Sequence, residues 1–176
     1  LAVYQINQKY RDELRAKSGI LRGREFGMKD MYSFHATQED FERFYEIVKS
    51  AYFRIYERCG LTAKATEASG GSFSNKISYE FMVLTDAGED TILYCDACEF
   101  CVNVEIAGDR DVEEGASCRK CKEGKIKKGV ASEVGNVFDL ADRYPRIFGL
   151  TYKDESGSDR HPIMGCYGIG TTRLMG

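Results

Sequence analysis

The chain has 176 residues, 43% of them hydrophobic and 30% charged, a globular composition long enough to bury one real core. No apolar run approaches the ~20 residues a membrane helix needs, and the opening LAVYQINQKYRDE lacks the layout of a secretory signal. A formal charge of −3 excludes bulk charge as the means of holding nucleic acid, so any such contact must come from local patches.

Leu1, Val3 and Ile6 open the chain inside a strand-like pattern that ends at Tyr10-Arg11-Asp12-Glu13. A basic loop with Arg15, Lys17, Ser18 and Gly19 follows, and a second strand is predicted from Leu21 to Asp30. Residues two apart in a strand share a face. Arg22, Arg24, Phe26, Met28 and Asp30 therefore share one side, and Leu21, Gly23, Glu25, Gly27 and Lys29 the other. Two cations and an aromatic in a row suit phosphates with a ring stacked beside them. On pattern alone, a charged hairpin in water competes with that reading.

A helix is predicted next, with Thr37 as N-cap, Asp40 completing a weak capping box and Gly60 just past the end. Its stripe of Phe41, Phe44, Tyr45, Val48, Tyr52, Ile55 and Cys59 recurs at three- and four-residue spacing and is expected to pack on a sheet, with Cys59 as a buried thiol. Strands at 61–65, 79–84 and 91–94 form a meander, with turns at Ser69–Ser72 and Asp86–Asp90.

Cys95-x2-Cys98 and Cys118-x2-Cys121 are two knuckles about twenty residues apart, a strong zinc-ribbon spacing; Cys101 is a spare fifth thiol. An iron–sulfur cluster built on the Cys95–Cys98–Cys101 triple and unmetallated thiols are the competing readings. Seven cysteines without an export signal point to a reducing cytosol. Acidic residues (Glu105, Asp109, Asp111, Glu113, Glu114) lie between the knuckles. The basic run Arg119, Lys120, Lys122, Lys125, Lys127 and Lys128 reads as a solvated face, or as a patch for an anionic partner such as tRNA. The last segment holds a strand over 133–140, then a glycine-rich Gly165-Cys-Tyr-Gly-Ile-Gly170 before Arg173, where glycines let a helix start and its arginine approach a nucleotide. His35 and His161 stand alone, without metal spacing.

Arg11-x-Glu13, a loop, then RGREF (22–26) and MKDMYSFH (28–35) resemble motif 2 of class II aminoacyl-tRNA synthetases in the form found in bacterial-type prolyl-tRNA synthetases, and MGCYGIGTTR (164–173) resembles motif 3. The resemblance implies an α+β fold, an antiparallel sheet flanked by helices, to which the knuckle spacing adds a small zinc-ribbon-like insert. It divides the chain into a first catalytic part (1–93), a Cys-rich insert (94–129) and a second catalytic part (130–176). It also implies activation of proline with ATP to prolyl-adenylate and transfer to proline tRNA. A non-catalytic synthetase-like paralogue that binds RNA or protein, and a threonyl or seryl enzyme, are the alternatives.

By the same resemblance, Arg11 binds the α-phosphate and the proline carboxylate, Glu13 accepts from the adenine amino group and Arg22 reaches the outer phosphates. Phe26 stacks on adenine, and Arg173 closes on the γ-phosphate. Glu133 holds Mg²⁺ or the ATP it bridges, Asn136 faces the nucleotide, and Met28, Phe138 and Cys166 line a proline-sized pocket. The metal set is Cys95, Cys98, Cys118 and Cys121, for structural Zn²⁺.

The resemblance further implies a cytoplasmic homodimer with no membrane association. Motif 1, a Thr-x-Glu loop that helps hold proline's amino group and an anticodon-binding domain are expected outside this stretch, which reads as a catalytic-core fragment. Two departures stand out. Tyr79 occupies a place where the family usually has His, and the ~40 residues between Asp90 and Glu133 are too few for the family's inserted editing domain.

Overall fold

The computed structural model describes residues 1–108 and 110–176; Asp109 of the acidic stretch lies outside the described residues. The first hairpin pairs β1 (Ala2–Tyr10) with β2 (Glu25–His35) in antiparallel register from Ala2 opposite Ser33 to Tyr10 opposite Glu25. β2 starts four residues later than alternation predicts. Ser18 and Gly19 adopt left-handed φ values of 56° and 60°, a single 3₁₀ turn spans Gly19–Leu21, and the loop closes with Lys17 N–H on the Arg22 carbonyl at 3.0 Å. Those bonds draw Arg22 and Arg24 out of the strand. The expected row of Arg22, Arg24 and Phe26 is thereby broken, and Arg24 is exposed with its Nε on the Glu13 carbonyl.

Helix α1 (Gln38–Arg58) begins as the sequence implies. Thr37 Oγ1 accepts the Asp40 N–H at 3.2 Å. The Asp40 carboxylate does not return to the cap. It turns to His35 Nδ1 (2.6 Å) and Arg43 (2.7 Å) instead, so there is no capping box. The buried stripe is Phe41, Tyr45, Val48, Tyr52 and Tyr56. Tyr56 takes the place expected of Ile55 and Cys59, both of which are exposed. The reason is where the helix stops: Cys59 is already the C-cap and Gly60 turns away at φ 78°. The stripe packs on Phe81, Val134, Val137, Tyr167 and Ile169 from three strands, and each large side chain so buried contributes roughly 1.5–3 kcal/mol.

The rest of the sheet comes from β3 (Ala63–Ser69), β4 (Ile77–Leu84), β5 (Asp90–Cys95), β6 (Cys101–Asn103), β7 (Ile126–Asp139) and β10 (Ile163–Ile169), with short α2 (Val104–Ala107) and α3 (Arg143–Ile147), a small β8–β9 hairpin (Tyr152–Lys153, Asp159–Arg160) and α4 (Thr171–Met175). Strand order is β1-β2-β10-β7-β4-β3-β6-β5, antiparallel except for a single parallel pairing of β3 with β6. The first half of β7 leaves β4 and pairs with β5, from Asp90 opposite Ala131 to Cys95 opposite Ile126. The pairings β7-β4-β3-β6-β5-β7 thus close into a circuit, and β5 and β7 run unbroken from the sheet into the cysteine-bearing end.

Period-two alternation gives the sheet two faces. Tyr167 and Ile169 of β10, Val137 of β7 and Phe81 of β4 face α1, leaving Cys166, Gly168, Asn136, Phe138 and Glu80 on the other side. Alternation alone would put Glu133 on the α1 side, away from Asn136. A β-bulge intervenes: Phe81 pairs with Gly135 but Met82 pairs with Glu133, so one residue of β7 is skipped. Val134 drops into the core and Glu133 joins Asn136 on the open face. Tyr79 lies on the helix side with the Lys49 ammonium 3.9 Å from its ring centre, so the departure from His falls outside the open face.

Candidate active site

Two adjoining cavities occupy the open face of the sheet and share the wall formed by Arg11, Met28, Glu133 and Asn136. The first, about 120 Å³, gathers Arg11, Glu13, Arg22, Phe26 and Arg173 from the two ends of the chain. Arg11 leaves β1 just past its last paired residue, and its guanidinium lies 5.0 Å from the centre of the Phe26 ring. Glu13 accepts the Arg15 N–H at 2.8 Å and forms an ion pair with Arg22, 3.1 Å from Nε; the backbone bond is the larger cause holding its carboxyl below the usual range. Arg173 sits in the first turn of α4. It donates Nε to the Leu21 carbonyl (2.9 Å) and Nη1 to the Glu133 carbonyl (2.7 Å), with the Glu133 carboxylate 3.8 Å away. A latch ties α4 to β2 as well, because Gly27 N–H donates to Thr172 Oγ1 at 2.6 Å. Cβ on Gly27 would lie 2.6 Å from Thr171 Oγ1, so that latch needs glycine.

The second cavity, about 650 Å³, brings Met28, Phe138 and Cys166 together. Its floor is Gly168, where a Cβ would meet Met28 Cε at 2.6 Å and Asn136 Oδ1 at 2.8 Å. Phe138 is braced by Phe73 at 5.3 Å between ring centres. Burial pushes the Cys166 thiol up to about 11, which leaves it neutral and unsuited to nucleophilic attack. Asn136 Nδ2 donates to Glu133 Oε1 at 2.9 Å, and burial raises the Glu133 pKa. Two acidic residues at the cleft were given no role from the sequence. Glu80 projects into the second cavity from β4, and burial together with the nearby Glu133 charge pushes it up to about 8. Glu89 pairs with Arg22 and, at 3.1 Å, with Lys17. Its only sequence signal is the Gly88-Glu89-Asp90 turn, which reads as a landmark before the insert.

The four knuckle thiols converge at the far end of β5 and β7, with all four sulfurs within 4.8 Å of one another. Cys95–Cys121 and Cys98–Cys118 are each 3.7 Å apart. A tetrahedron with Zn–S bonds of ~2.3 Å has an edge of about 3.8 Å; two of its edges match and the remaining sulfurs lie within 4.8 Å, a grouping that suits zinc. Ala97 N–H and Gly124 N–H donate to Cys95 and Cys121 sulfurs at 3.3 and 3.4 Å, bonds that favour thiolates. Backbone N–H groups of Gly124 and Glu123 hold Cys121 down at about 7. Cys101 is buried elsewhere and takes the Thr66 hydroxyl at 3.1 Å. The basic run is largely spent locally: Lys120 pairs with Glu99, Lys127 with Asp96, and Arg119 lies over Phe100.

The tRNA synthetase class II core domain (G, H, P, S and T) matches residues 1–176. A proline--tRNA ligase of Anaplasma marginale is 41% identical over 184 residues, covering 98% of this chain and 43% of the relative. A "Probable proline--tRNA ligase, mitochondrial" of Rattus norvegicus is 38% identical over 175 residues, covering 99% of this chain and 36% of its own length. The chain thus spans well under half of the curated relatives it matches. Among solved structures, the prolyl-tRNA synthetase of Giardia lamblia, in complex with prolyl-adenylate, superposes with a TM-score of 0.69 at 15% identity, over 99% of this chain and 27% of that one. The enzyme of Cryptosporidium parvum, complexed with L-proline and AMP, gives 0.67 at 15% identity, over 99% and 30%. At that identity the likeness establishes the fold.

Proposed function

This chain belongs to the class II tRNA synthetase core domain family, and from that premise we propose that its cleft joins proline to ATP as prolyl-adenylate and passes the prolyl group to proline tRNA. The observation that carries the reading is the convergence of Arg11, Arg22 and Arg173 with Phe26 on one cavity that opens onto the Met28–Phe138–Cys166 pocket. Relatives named as proline--tRNA ligases, similar over nearly the whole chain, support the choice of amino acid.

In the reaction a carboxylate oxygen of proline attacks the α-phosphorus of ATP, and the bond to the bridging oxygen breaks to release pyrophosphate. Little proton transfer is involved, so the protein's task is to position reactants and balance charge on phosphoryl oxygens. Arg11 stands on the wall common to both cavities, where one guanidinium reaches the carboxylate and the α-phosphate together. Arg22 and Arg173 both line the first cavity for the outer phosphates, Phe26 provides the adenine platform, and Glu13 presents a carboxylate to the adenine amino group. Glu133, steadied by Asn136, is the group that would hold Mg²⁺ bound to ATP. Cys95, Cys98, Cys118 and Cys121 would hold Zn²⁺, whose contribution is to staple the ribbon. Homodimerisation, a cytoplasmic location and binding of proline tRNA by the intact protein complete the proposal on the family resemblance alone.

The test is proline-dependent exchange of pyrophosphate into ATP by the intact protein, with threonine and serine as comparators. Arg11→Ala and Arg173→Ala are expected to lower exchange by about 10²–10³. Exchange that prefers threonine or serine moves the assignment to a related synthetase, and no exchange with any of the three supports a non-catalytic paralogue.

A further inference from the structure

The loop over the second cavity is held differently at its two ends. Residues 69–76 leave β3, line the cavity from Ser69 to Phe73 and return as β4. The far end is tied to the sheet and to α3. Ser74 Oγ donates to the Asp139 carbonyl at 2.6 Å, and Arg143 Nη1 donates to the Ser72 and Phe73 carbonyls at 2.8 and 3.2 Å. There Phe73 leans on Phe138. Between the ends Gly70 bends so tightly that a Cβ would lie 2.3 Å from the Ser74 carbonyl oxygen.

The near end depends on the ribbon side of the molecule. Ser69 closes β3, opposite Ile77 of β4, and its carbonyl accepts the Ser78 hydroxyl at 2.9 Å. On the other edge β3 pairs with β6 at Glu67 and Val102. Past that pair β6 turns into α2, and Glu105 Oε1 accepts the Ser69 N–H at 2.9 Å. One carboxylate thus takes over where the strand pairing stops. Glu105 is itself held in place, because the buried Asn103 caps α2. Asn103 Oδ1 accepts the Glu105 N–H at 3.2 Å, while its Nδ2 donates to Glu80 at 3.3 Å. Behind them β6 pairs with β5 from Ile92 opposite Asn103 to Tyr94 opposite Cys101. An ion pair of Arg110 with Glu67, at 2.8 Å, joins the same two regions.

We propose that Glu105 is a positioning residue for amino-acid binding, acting through the Ser69 N–H to hold the loop over the second cavity. The inference rests on reading that cavity as the amino-acid site. A wall ordered before the ligand arrives spares binding the entropy of ordering it. Glu105 and the loop line the second cavity, and among the described residues neither lines the first. Their influence therefore falls on the amino acid and not on the nucleotide. The segment that follows the first cysteine knuckle becomes a working support of the cleft as well as part of a staple.

The experiment measures pyrophosphate exchange by the intact protein, its Glu105→Ala variant and its Glu105→Gln variant, which keeps an acceptor oxygen at the same reach. Zinc content and hydrogen exchange of the peptide spanning 69–76 are read on the same samples. Glu105→Ala is expected to raise KM for proline about three- to tenfold, the scale of one hydrogen bond. Its kcat, KM for ATP and zinc content should stay unchanged, and the loop should exchange faster. Glu105→Gln should restore both KM for proline and slow exchange. A KM for proline unchanged in Glu105→Ala overturns the inference, as does an equal rise in KM for ATP or a loss of zinc. A Gln variant as impaired as the Ala variant also overturns it, because the charge and not the bond to Ser69 then matters. Each of these leaves the proline reading standing. Absence of proline-dependent exchange in the unmutated protein overturns that reading and this inference with it.

Discussion

The cysteine ribbon and the arginine cleft are built in opposite ways. The ribbon's four sulfurs come from 27 consecutive residues, Cys95 to Cys121, and two short knuckles bring them together. The cleft draws Arg11 and Arg173 from the two ends of the chain and depends on strand order, a bulge and a helix packed behind the sheet. A site made from local spacing fails locally when one ligand is lost. A site made from long-range register fails when the sheet beneath it shifts.

The largest effect should come from the metal set. Structural zinc contributes roughly 10–16 kcal/mol of apparent binding energy in small peptides, and the ribbon's own apolar cluster is small, centred on Leu93, Phe100, Val102, Ile106 and Ile126. One equivalent of zinc per chain is expected by metal analysis. Cys118→Ser should lose it and melt the ribbon, and Cys101→Ser should keep it. Equal loss in both would mean that Cys101 is a ligand and that the grouping of sulfurs is wrong. Proteolysis sharpens the contrast with the cleft: chelation should expose residues 96–125 to cleavage before any part of the sheet around α1.

The ribbon was legible because ligand spacing is a local property. The resemblance to motifs 2 and 3 made the cleft residues Arg11, Phe26 and Arg173 nameable, but not their arrangement. Alternation carried the second strand back to Leu21, whereas loop bonds to the Arg22 and Arg24 carbonyls end it at Glu25. Helical periodicity ran the apolar stripe on to Cys59, past the end of the surface it covers. The bulge that turns Glu133 toward Asn136 leaves no mark in a period-two pattern, because Val134 is apolar and Glu133 polar on either reading. Glu80 and Glu89 lie in family-like runs, Ser78-Tyr-Glu-Phe81 and the Gly88-Glu-Asp90 turn, but neither run assigns them a role in the cleft.

The bulge yields the next prediction. Gly135 sits beside it, and a Cβ there would lie 2.2 Å from the Tyr56 hydroxyl and 2.7 Å from the Gly168 carbonyl. Gly135→Ala should therefore destabilise the protein by about 1–3 kcal/mol, as overpacking does, and lower the melting temperature by ~2–4 °C per kcal/mol. Zinc content should not change. Among the described residues the Tyr56 hydroxyl has no hydrogen-bond partner, so Tyr56→Phe should be nearly neutral alone and should restore part of the loss in the double variant. If Gly135→Ala releases zinc as well, the two regions share one cooperative unit and the contrast between them collapses.

The smallest expected effect tests how the cleft waits for its nucleotide. Arg22, assigned to the outer phosphates, is held between Glu13 and Glu89. Lys17 also leans on Glu89. A triphosphate entering the cavity must replace these carboxylates on Arg22, so Glu89 acts as its competitor. Pairs this open to water are worth only ~0.2–1 kcal/mol, which sets the scale of the change at about fivefold or less. Glu89→Gln should lower KM for ATP by that factor, leave KM for proline unchanged and steepen the salt dependence of ATP binding, since salt would no longer weaken the competing pair. A raised KM for ATP would mean that Glu89 positions Arg22 for the phosphates, making the turn before the ribbon a working part of the cleft.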